Sequence, residues 1–377
     1  MCVSPVALTR EIAGRKYTQY VPCGKCNQCI ADRQNEYVIR TMEEATKRGS
    51  MWFFTLTYSN ENVPYTFDLD GEIVEEDPET GEVFFSDDAK LLSLNRADIT
   101  EWKKRVRNKL NKRRKKNGQS PLDFGYMIAG EYGPKTHRPH YHGVFLGLSK
   151  EDVMEFKKDW EEHFGFTSFS YIPVVSCDGR NQVEATAKYV SKYVVKMHDL
   201  EDPNVINGKV QKPRKQTSVG YGMPTRARFE RMRNYHLCND IYPNLDLDKI
   251  YDLKPSELKR IVNQIIRRRK YRKPNGKETK LPNYYKRKMF YVPKEDGSGA
   301  VRATELQKVV SRTMEMQLRA DFARQLCRMA ALYDQGDPIE AHRRASRDLC
   351  RAEEDRRLAI SSSLFETNIR SLRKSKF

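Results

Sequence analysis

The order of apolar periods between residues 51 and 198 constrains this chain more than any other feature. MWFFTLTY at 51–58 is an aromatic, β-branched run of strand length, and residues 95–117 then carry Trp102, Val106 and Leu110 at helical spacing. FGYMIAGEY at 124–132 and HYHGVFLGL at 140–148 read as two strands joined by a stretch of hairpin length. A helix over 150–164, a strand FTSFSYIPVV over 166–175 and a helix over 183–197 complete the series. The first six elements run β-α-β-β-α-β, the split βαβ or ferredoxin-like order, in which a central antiparallel sheet carries helices on one face. The expected class is therefore α+β.

Around this core the chain divides by composition. Residues 1–50 hold a cysteine cluster and a helix, and residues 60–90 form an acidic insertion whose GEIVEEDPETGEVFF reads as a polar hairpin. Pro203, Pro213, Pro224 and Pro243 interrupt the pattern beyond residue 198, so 199–300 is expected to be an irregular basic arm. Residues 301–377 regain a helical stripe through Leu306, Val309, Val310, Met314, Leu318, Phe322 and Leu326, with a second helix after Pro338. The 69 Lys and Arg exceed the 51 Asp and Glu by 18, which points to a phosphate-rich partner. Twenty Tyr, sixteen Phe and three Trp supply enough aromatic surface for a real core, which argues against a disordered chain. No apolar run reaches membrane-spanning length and MCVSPVALTREIAG lacks the pattern of a secretory leader, so the expectation is a cytoplasmic protein with no membrane partner.

His140 and His142 lie two apart on one strand, so they point to the same side while Tyr141 points to the other. Glu131 lies near the end of the preceding strand, where hairpin pairing brings it opposite the histidine end. If the register makes it face either imidazole, one carboxylate and two imidazoles form a metal site with open positions. Such a site suits a hard or borderline divalent ion that polarises a phosphodiester oxygen. The plain alternative is a histidine pair facing solvent at a sheet edge; Glu131 tips the balance towards metal. His137, in the loop, is a candidate substrate contact, and Gly143 is read as room for substrate to approach the backbone.

On the helix over 183–197, Tyr189, Lys192, Tyr193 and Lys196 share one stripe, and Val183, Ala187, Val190, Val194 and Met197 form another. Phenols beside ammonium groups gain stabilisation for the phenolate, the nucleophile needed to attack phosphorus. The same face would otherwise serve only to touch nucleic acid, with tyrosine as a stacking group. Cys23, Cys26 and Cys29 offer three thiolates without an evident fourth ligand, so a Zn2+ site and a metal-free thiol turn both fit. Basic stretches at 103–116 and 259–288, with Lys112, Arg113, Arg114, Arg267, Arg268 and Arg269, suit contact with a DNA backbone, as does Arg138. Tyr271, Tyr284 and Tyr285 are placed to stack on unpaired bases.

In order, FTLTY, a His-hydrophobic-His strand preceded by Glu, and a YxxxY helix with Lys resemble the three motifs of HUH-type rolling-circle replication initiators. The wording GEYG, RPHYHGVFLG and YVSKYVVK, with the CGKC element, is most similar to the initiators of small single-stranded DNA phages of the Microviridae, on their gokushovirus-like branch. The resemblance covers residues 51–198 and the cysteine cluster in outline. It implies an HUH endonuclease core in which His140, His142 and Glu131 hold Mg2+ or Mn2+ against the scissile phosphate. It further implies that Tyr189 or Tyr193 attacks, leaving a 5′-phosphotyrosyl enzyme and a free 3′-OH, and that the second tyrosine permits rejoining. Lys192 and Lys196 would support the phenolate or clamp phosphate. The implied partners are single-stranded DNA, a replication origin, a host DNA polymerase and, since no P-loop signature occurs in the chain, a host helicase. A two-tyrosine transposase or a relaxase would share the chemistry, although relaxases usually carry a longer histidine cluster; a basic DNA-binding protein without catalysis is the reading from a different class.

Overall fold

The computed structural model describes residues 6–12, 15–24, 26–68, 73–76, 83–85, 89–133, 136–174, 182–196, 203–243, 245–273, 278–332, 339–341, 343–348 and 351. Two compact units emerge, one of residues 33–226 and one of residues 1–32 with 227–377. The chain opens with an antiparallel hairpin of β1 (Val6–Ile12) and β2 (Arg15–Val21), followed by α1 (Asn27–Arg48), within which the unit boundary falls.

The 33–226 unit continues through β3 (Met51–Tyr58), β4 (Tyr65–Phe67), β5 (Ile73–Glu76), β6 (Val83–Phe85), β7 (Lys90–Leu92) and α2 (Arg96–Lys116). It then runs through β8 (Gly125–Tyr132), β9 (Pro139–Leu146), α3 (Lys150–His163), β10 (Gly165–Ile172), α4 (Gln182–Lys196), α5 (Pro203–Ile206) and β11 (Lys215–Thr217). The central sheet has the order β10-β3-β9-β8-β11 with every neighbour antiparallel. Without the edge strand β11 this is the split βαβ arrangement, with the third strand inserted between the first two and the fourth outside the first. The acidic insertion is a pair of hairpins: β4 pairs with β7, and β5 with β6.

Strand alternation sorts the core into two layers. Phe54, Leu56, Tyr58, Ile128, Tyr141 and Phe145 point to one face, where Trp102, Val106 and Leu110 of α2 and Val153, Phe156 and Trp160 of α3 cover them. Burying each large side chain contributes about 1.5–3 kcal/mol, and the Trp102 indole N–H donates to the Phe156 carbonyl at 3.0 Å. Asn95 and Ser149 cap α2 and α3, accepting from the Ala97 and Asp152 amides at 3.0 and 3.1 Å. The opposite face carries Met51, Met127, Ala129, Val144 and Leu146 beneath Tyr37, Val38, Met42 and Ala45 of α1 and Val183, Ala187, Val190 and Val194 of α4. Helices therefore cover both faces, where the sequence pattern led us to expect one. The reason is local: in β8 and β9 the residues of both parities are apolar, and a sheet of that kind must be buried on each side.

The other unit replaces the expected irregular arm with α6 (Arg226–His236), α7 (Pro255–Arg267), β12 (Lys270–Arg272), β13 (Glu278–Lys280), α8 (Asn283–Phe290), β14 (Tyr291–Pro293), β15 (Val301–Ala303) and α9 (Glu305–Leu332). The prolines punctuate elements here; Pro255 occupies the first position of α7, where its missing N–H costs nothing. Ile261, Val262 and Ile265 of α7, Tyr271, Tyr285, Met289 and Phe290, and Leu306 and Val310 of α9 are buried. Of the expected C-terminal stripe, the side chains of Leu318, Phe322 and Leu326 lie outside the described residues. Among the described residues no helix is long and apolar enough to cross a membrane.

Candidate active site

Three strands bring the metal candidates together. The β8–β9 register sets Glu131 opposite His140, and the β3–β9 register sets Thr55 opposite His142. All four point to the α1/α4 side of the sheet. Glu131 Oε2 stands 3.4 Å from Nε2 of both His140 and His142. The His140 Nδ1 lies 3.0 Å from the Arg138 carbonyl oxygen, which only accepts, so Nδ1 carries the hydrogen and the Nε2 lone pair is turned towards Glu131. His142 Nδ1 meets Thr55 Oγ1 at 3.1 Å. For metal bonds of about 2.1 Å, neighbouring donor atoms stand about 3.0 Å apart at a right angle and about 3.4 Å at the tetrahedral angle. The observed 3.4 Å spacings thus fit one shared divalent ion. His142 is buried, and Glu131 and His140 are half-buried.

Helix α4 lays both tyrosines against this triad. The Tyr193 ring stacks on His142, with centroids 4.0 Å apart and planes at 16°. Its hydroxyl donates to the Tyr189 hydroxyl at 2.7 Å. Tyr189 in turn meets Phe53 and His142 edge-on at 5.5 and 6.2 Å. Phe53, which sequence reading passed over, walls the site because it shares the strand face of Thr55. The tyrosines are half-buried, not surface phenols among lysines as expected. Burial, then the bond to Tyr189, then the Glu131 charge push the Tyr193 phenol well above its ordinary pKa. Lys192 Nζ stands 6.0 Å from the Tyr189 ring centroid, with its ammonium shifted down by burial; the Lys196 side chain lies outside the described residues.

A family model of replication-associated protein ORF2 matches residues 51–198, the span that holds the triad and both tyrosines. Residues 51–198 belong to that family. The replication-associated protein VP4 of Bdellovibrio phage phiMH2K is 27% identical over 196 residues, covering 50% of this chain and 51% of that protein. The replication-associated protein ORF2 of Spiroplasma virus 4 is 24% identical over 231 residues, covering 58% and 62%. The chain thus spans between half and two thirds of these relatives. Among solved structures, the minute virus of mice non-structural protein-1 N-terminal nuclease domain aligns with 54% of this chain and 83% of its own, at 11% identity and a TM-score of 0.15, too slight a likeness to bear on fold or function.

Within the ORF2-family segment other expected contacts take different places. Arg138 is tied inward, donating to the Tyr58 carbonyl at 2.6 Å and to Asn60 at 2.9 Å, so it fixes the rim of the site. His137 is exposed and holds a left-handed φ of 49°, a strained backbone for a residue beside the triad. Gly143 makes no room for substrate: strand alternation turns it to the α2/α3 side, where an added Cβ would fall 2.3 Å from Phe54 Cζ. The basic helix α2 also lies on that side. Its Arg113 pairs with Glu155 at 3.1 Å, Arg114 approaches Asp152 at 3.8 Å, and Lys112 is exposed. Acidic residues of α3 thus partly neutralise the charge that suggested DNA.

Outside the ORF2-family segment, Arg267 is exposed, but Arg268 pairs with Asp240 at 2.6 Å. Arg269 packs its guanidinium 4.9 Å from the Phe290 ring centroid, and burial lowers it to about 10. Tyr271 and Tyr285 belong to the core of their unit and offer no face to bases, while Tyr284 is half-buried. The thiols of Cys23, Cys26 and Cys29 do converge, within 4.8 Å of one another.

Proposed function

We propose that this chain is a replication initiator that nicks and rejoins one strand of DNA through a tyrosine nucleophile. The observation that carries the reading is the placement of Tyr189 and Tyr193 directly against the Glu131, His140 and His142 triad, with Tyr193 stacked on His142. Glu131, His140 and His142 would hold Mg2+ or Mn2+, which supplies Lewis-acid polarisation of a phosphodiester oxygen.

A tyrosine oxygen forms a bond to phosphorus while the bond to the 3′ oxygen breaks; the phenol gives up its proton and the departing 3′ oxygen gains one. The products are a 5′-phosphotyrosyl enzyme and a free 3′-OH that a host polymerase extends in the bacterial cytoplasm. One phosphoester replaces another, so rejoining by the reverse attack needs no nucleotide cofactor. The 2.7 Å bond between the two hydroxyls places both phenols at one centre, as a cycle of cleavage and transfer by two nucleophiles requires. Thr55 and the Arg138 carbonyl keep the imidazoles oriented throughout. Exposed lysines and arginines, including Arg267, would add backbone contacts to the strand and its origin.

The test is incubation with single-stranded circles or oligonucleotides and Mn2+, followed by denaturing electrophoresis. A covalent protein–DNA adduct is expected in wild type. It should vanish in His140→Ala and in the Tyr189→Phe/Tyr193→Phe double variant. Absence of any adduct across the whole cognate genome sequence would refute the enzyme in favour of a DNA-binding protein without catalysis.

A further inference from the structure

The three cysteines lie outside the ORF2-family segment and take no part in strand cleavage. Cys26 immediately precedes α1 and its carbonyl accepts the first helical bond, from the Ile30 amide at 2.9 Å. Cys29 sits in the first turn of that helix, buried, with Cys23 and Cys26 half-buried beside it. Gly24 adopts a φ of 77°, a turn that a side chain would strain, and this folds the chain back so that the Cys26 amide donates to Cys23 Sγ at 3.3 Å.

We propose that Cys23, Cys26 and Cys29 bind one Zn2+ ion. In a tetrahedral zinc site with bonds of about 2.3 Å the sulfurs stand about 3.8 Å apart. The three Sγ atoms already lie within 4.8 Å of one another, so small side-chain rotations close the site. Two features favour thiolates there: the amide-to-sulfur hydrogen bond, and the positive N-terminal end of α1, which lowers the cost of negative charge. Soft sulfur donors select zinc over Mg2+ or Mn2+, so the site is chemically separate from the Glu131, His140 and His142 triad. Binding displaces one proton from each thiol and leaves a unit of three thiolates and Zn2+ with charge −1. Among the described residues no fourth His, Cys, Asp or Glu joins the group, so water completes the coordination. One turn further along α1, Asp32 accepts from Lys280 of β13 at 2.7 Å; an ion at the helix start would therefore brace the point where the β12–β13 hairpin attaches.

The experiment uses the full chain prepared with zinc and a reductant. Atomic emission should find one thiol-bound zinc per chain, and replacement by Co2+ should give a thiolate-to-cobalt charge-transfer band. That band should disappear in Cys26→Ser and persist in His140→Ala and in Cys327→Ser, which changes an exposed cysteine elsewhere. Stepwise titration of wild type with a mercurial, following zinc release to a colorimetric chelator, gives the same answer without a variant. Absence of metal from wild type, a band that survives Cys26→Ser, or a disulfide between two of the three cysteines in the reduced preparation would overturn the proposal.

Discussion

Replacing Gly143 by alanine separates a packing role from a role in the reaction. A methyl at this position would stand 2.3 Å from Phe54 Cζ, 2.8 Å from its Cε2 and 2.9 Å from the Met127 carbonyl oxygen. Carbon atoms settle at about 3.5–4.0 Å, so the ring must move by roughly 1.2 Å or more. It has nowhere to go: Phe54 is fully buried, with the rings of Phe145, Phe169 and Trp102 at 4.5, 5.3 and 6.0 Å. The Met127 oxygen belongs to the neighbouring strand and cannot rotate aside. We expect a cost near the top of the overpacking range, about 2–3 kcal/mol. For a unit of this size that lowers Tm by about 4–12 °C. Thermal unfolding followed by circular dichroism measures the shift. Strand cleavage per folded molecule, assayed well below Tm, should be retained, because Gly143 points away from the histidines. Phe54→Leu in the same chain should restore part of the loss, with a coupling of roughly 0.5–3 kcal/mol. A Gly143→Ala protein that melts within about 1 °C of wild type yet no longer cleaves would refute the argument and restore a substrate-facing glycine.

Three further outcomes are expected. Thr55→Val removes the hydroxyl at His142 Nδ1 and should weaken Mn2+ binding about 10–100-fold by electron paramagnetic resonance titration, with Thr55→Ser retaining most of it. Lys103 is buried over the Tyr126 ring, its Nζ 3.9 Å from the centroid and 2.7 Å from Gln216, and burial pulls its pKa from 10.5 down to about 8. Because the folded value lies below the unfolded one, stability is lost as pH falls through that window and regained as pH rises. Urea melts should show a gain of up to roughly 3 kcal/mol between pH 8 and 10.5 in wild type relative to Lys103→Met; equal slopes would contradict it. Arg269→Met should alter stability but leave single-strand affinity and its salt dependence unchanged, whereas Arg267→Ala should reduce the salt slope by about 0.7, both read by fluorescence anisotropy across a salt series.

The histidine site was legible in the sequence because every step depended on short-range rules. A two-residue period puts His140 and His142 on one side, and a hairpin-length loop carries Glu131 opposite them. The split βαβ order followed from alternating periods in the same way. Long-range pairing was not legible. Nothing in the run of basic residues on α2 reveals that Asp159 would grip Arg105 in two hydrogen bonds of 3.0 and 2.6 Å, or that Glu155 would take Lys109 at 2.8 Å. The glycine of β9 misled for the same reason: its neighbour is Phe54, 89 positions earlier in the chain, although strand parity alone placed it on the far side. In 255–267 the charges of SELKR masked a stripe of Ile261, Val262 and Ile265 that builds a core. The tyrosine helix was read correctly as two stripes, but how deeply the second stripe sinks against the sheet depends on small residues on both sides, Ala187 and Ala129.

That last dependence has a design implication. The imidazoles ride on an interior strand, laddered to a neighbour on each edge, whereas the phenols ride on a separate helix that rests on the sheet. The gap between them is consequently a shim whose thickness is written in buried side chains that never meet DNA. Lineages can retune the reach of either tyrosine by swapping a methyl for a larger group in that shim, and the reactive residues themselves stay untouched.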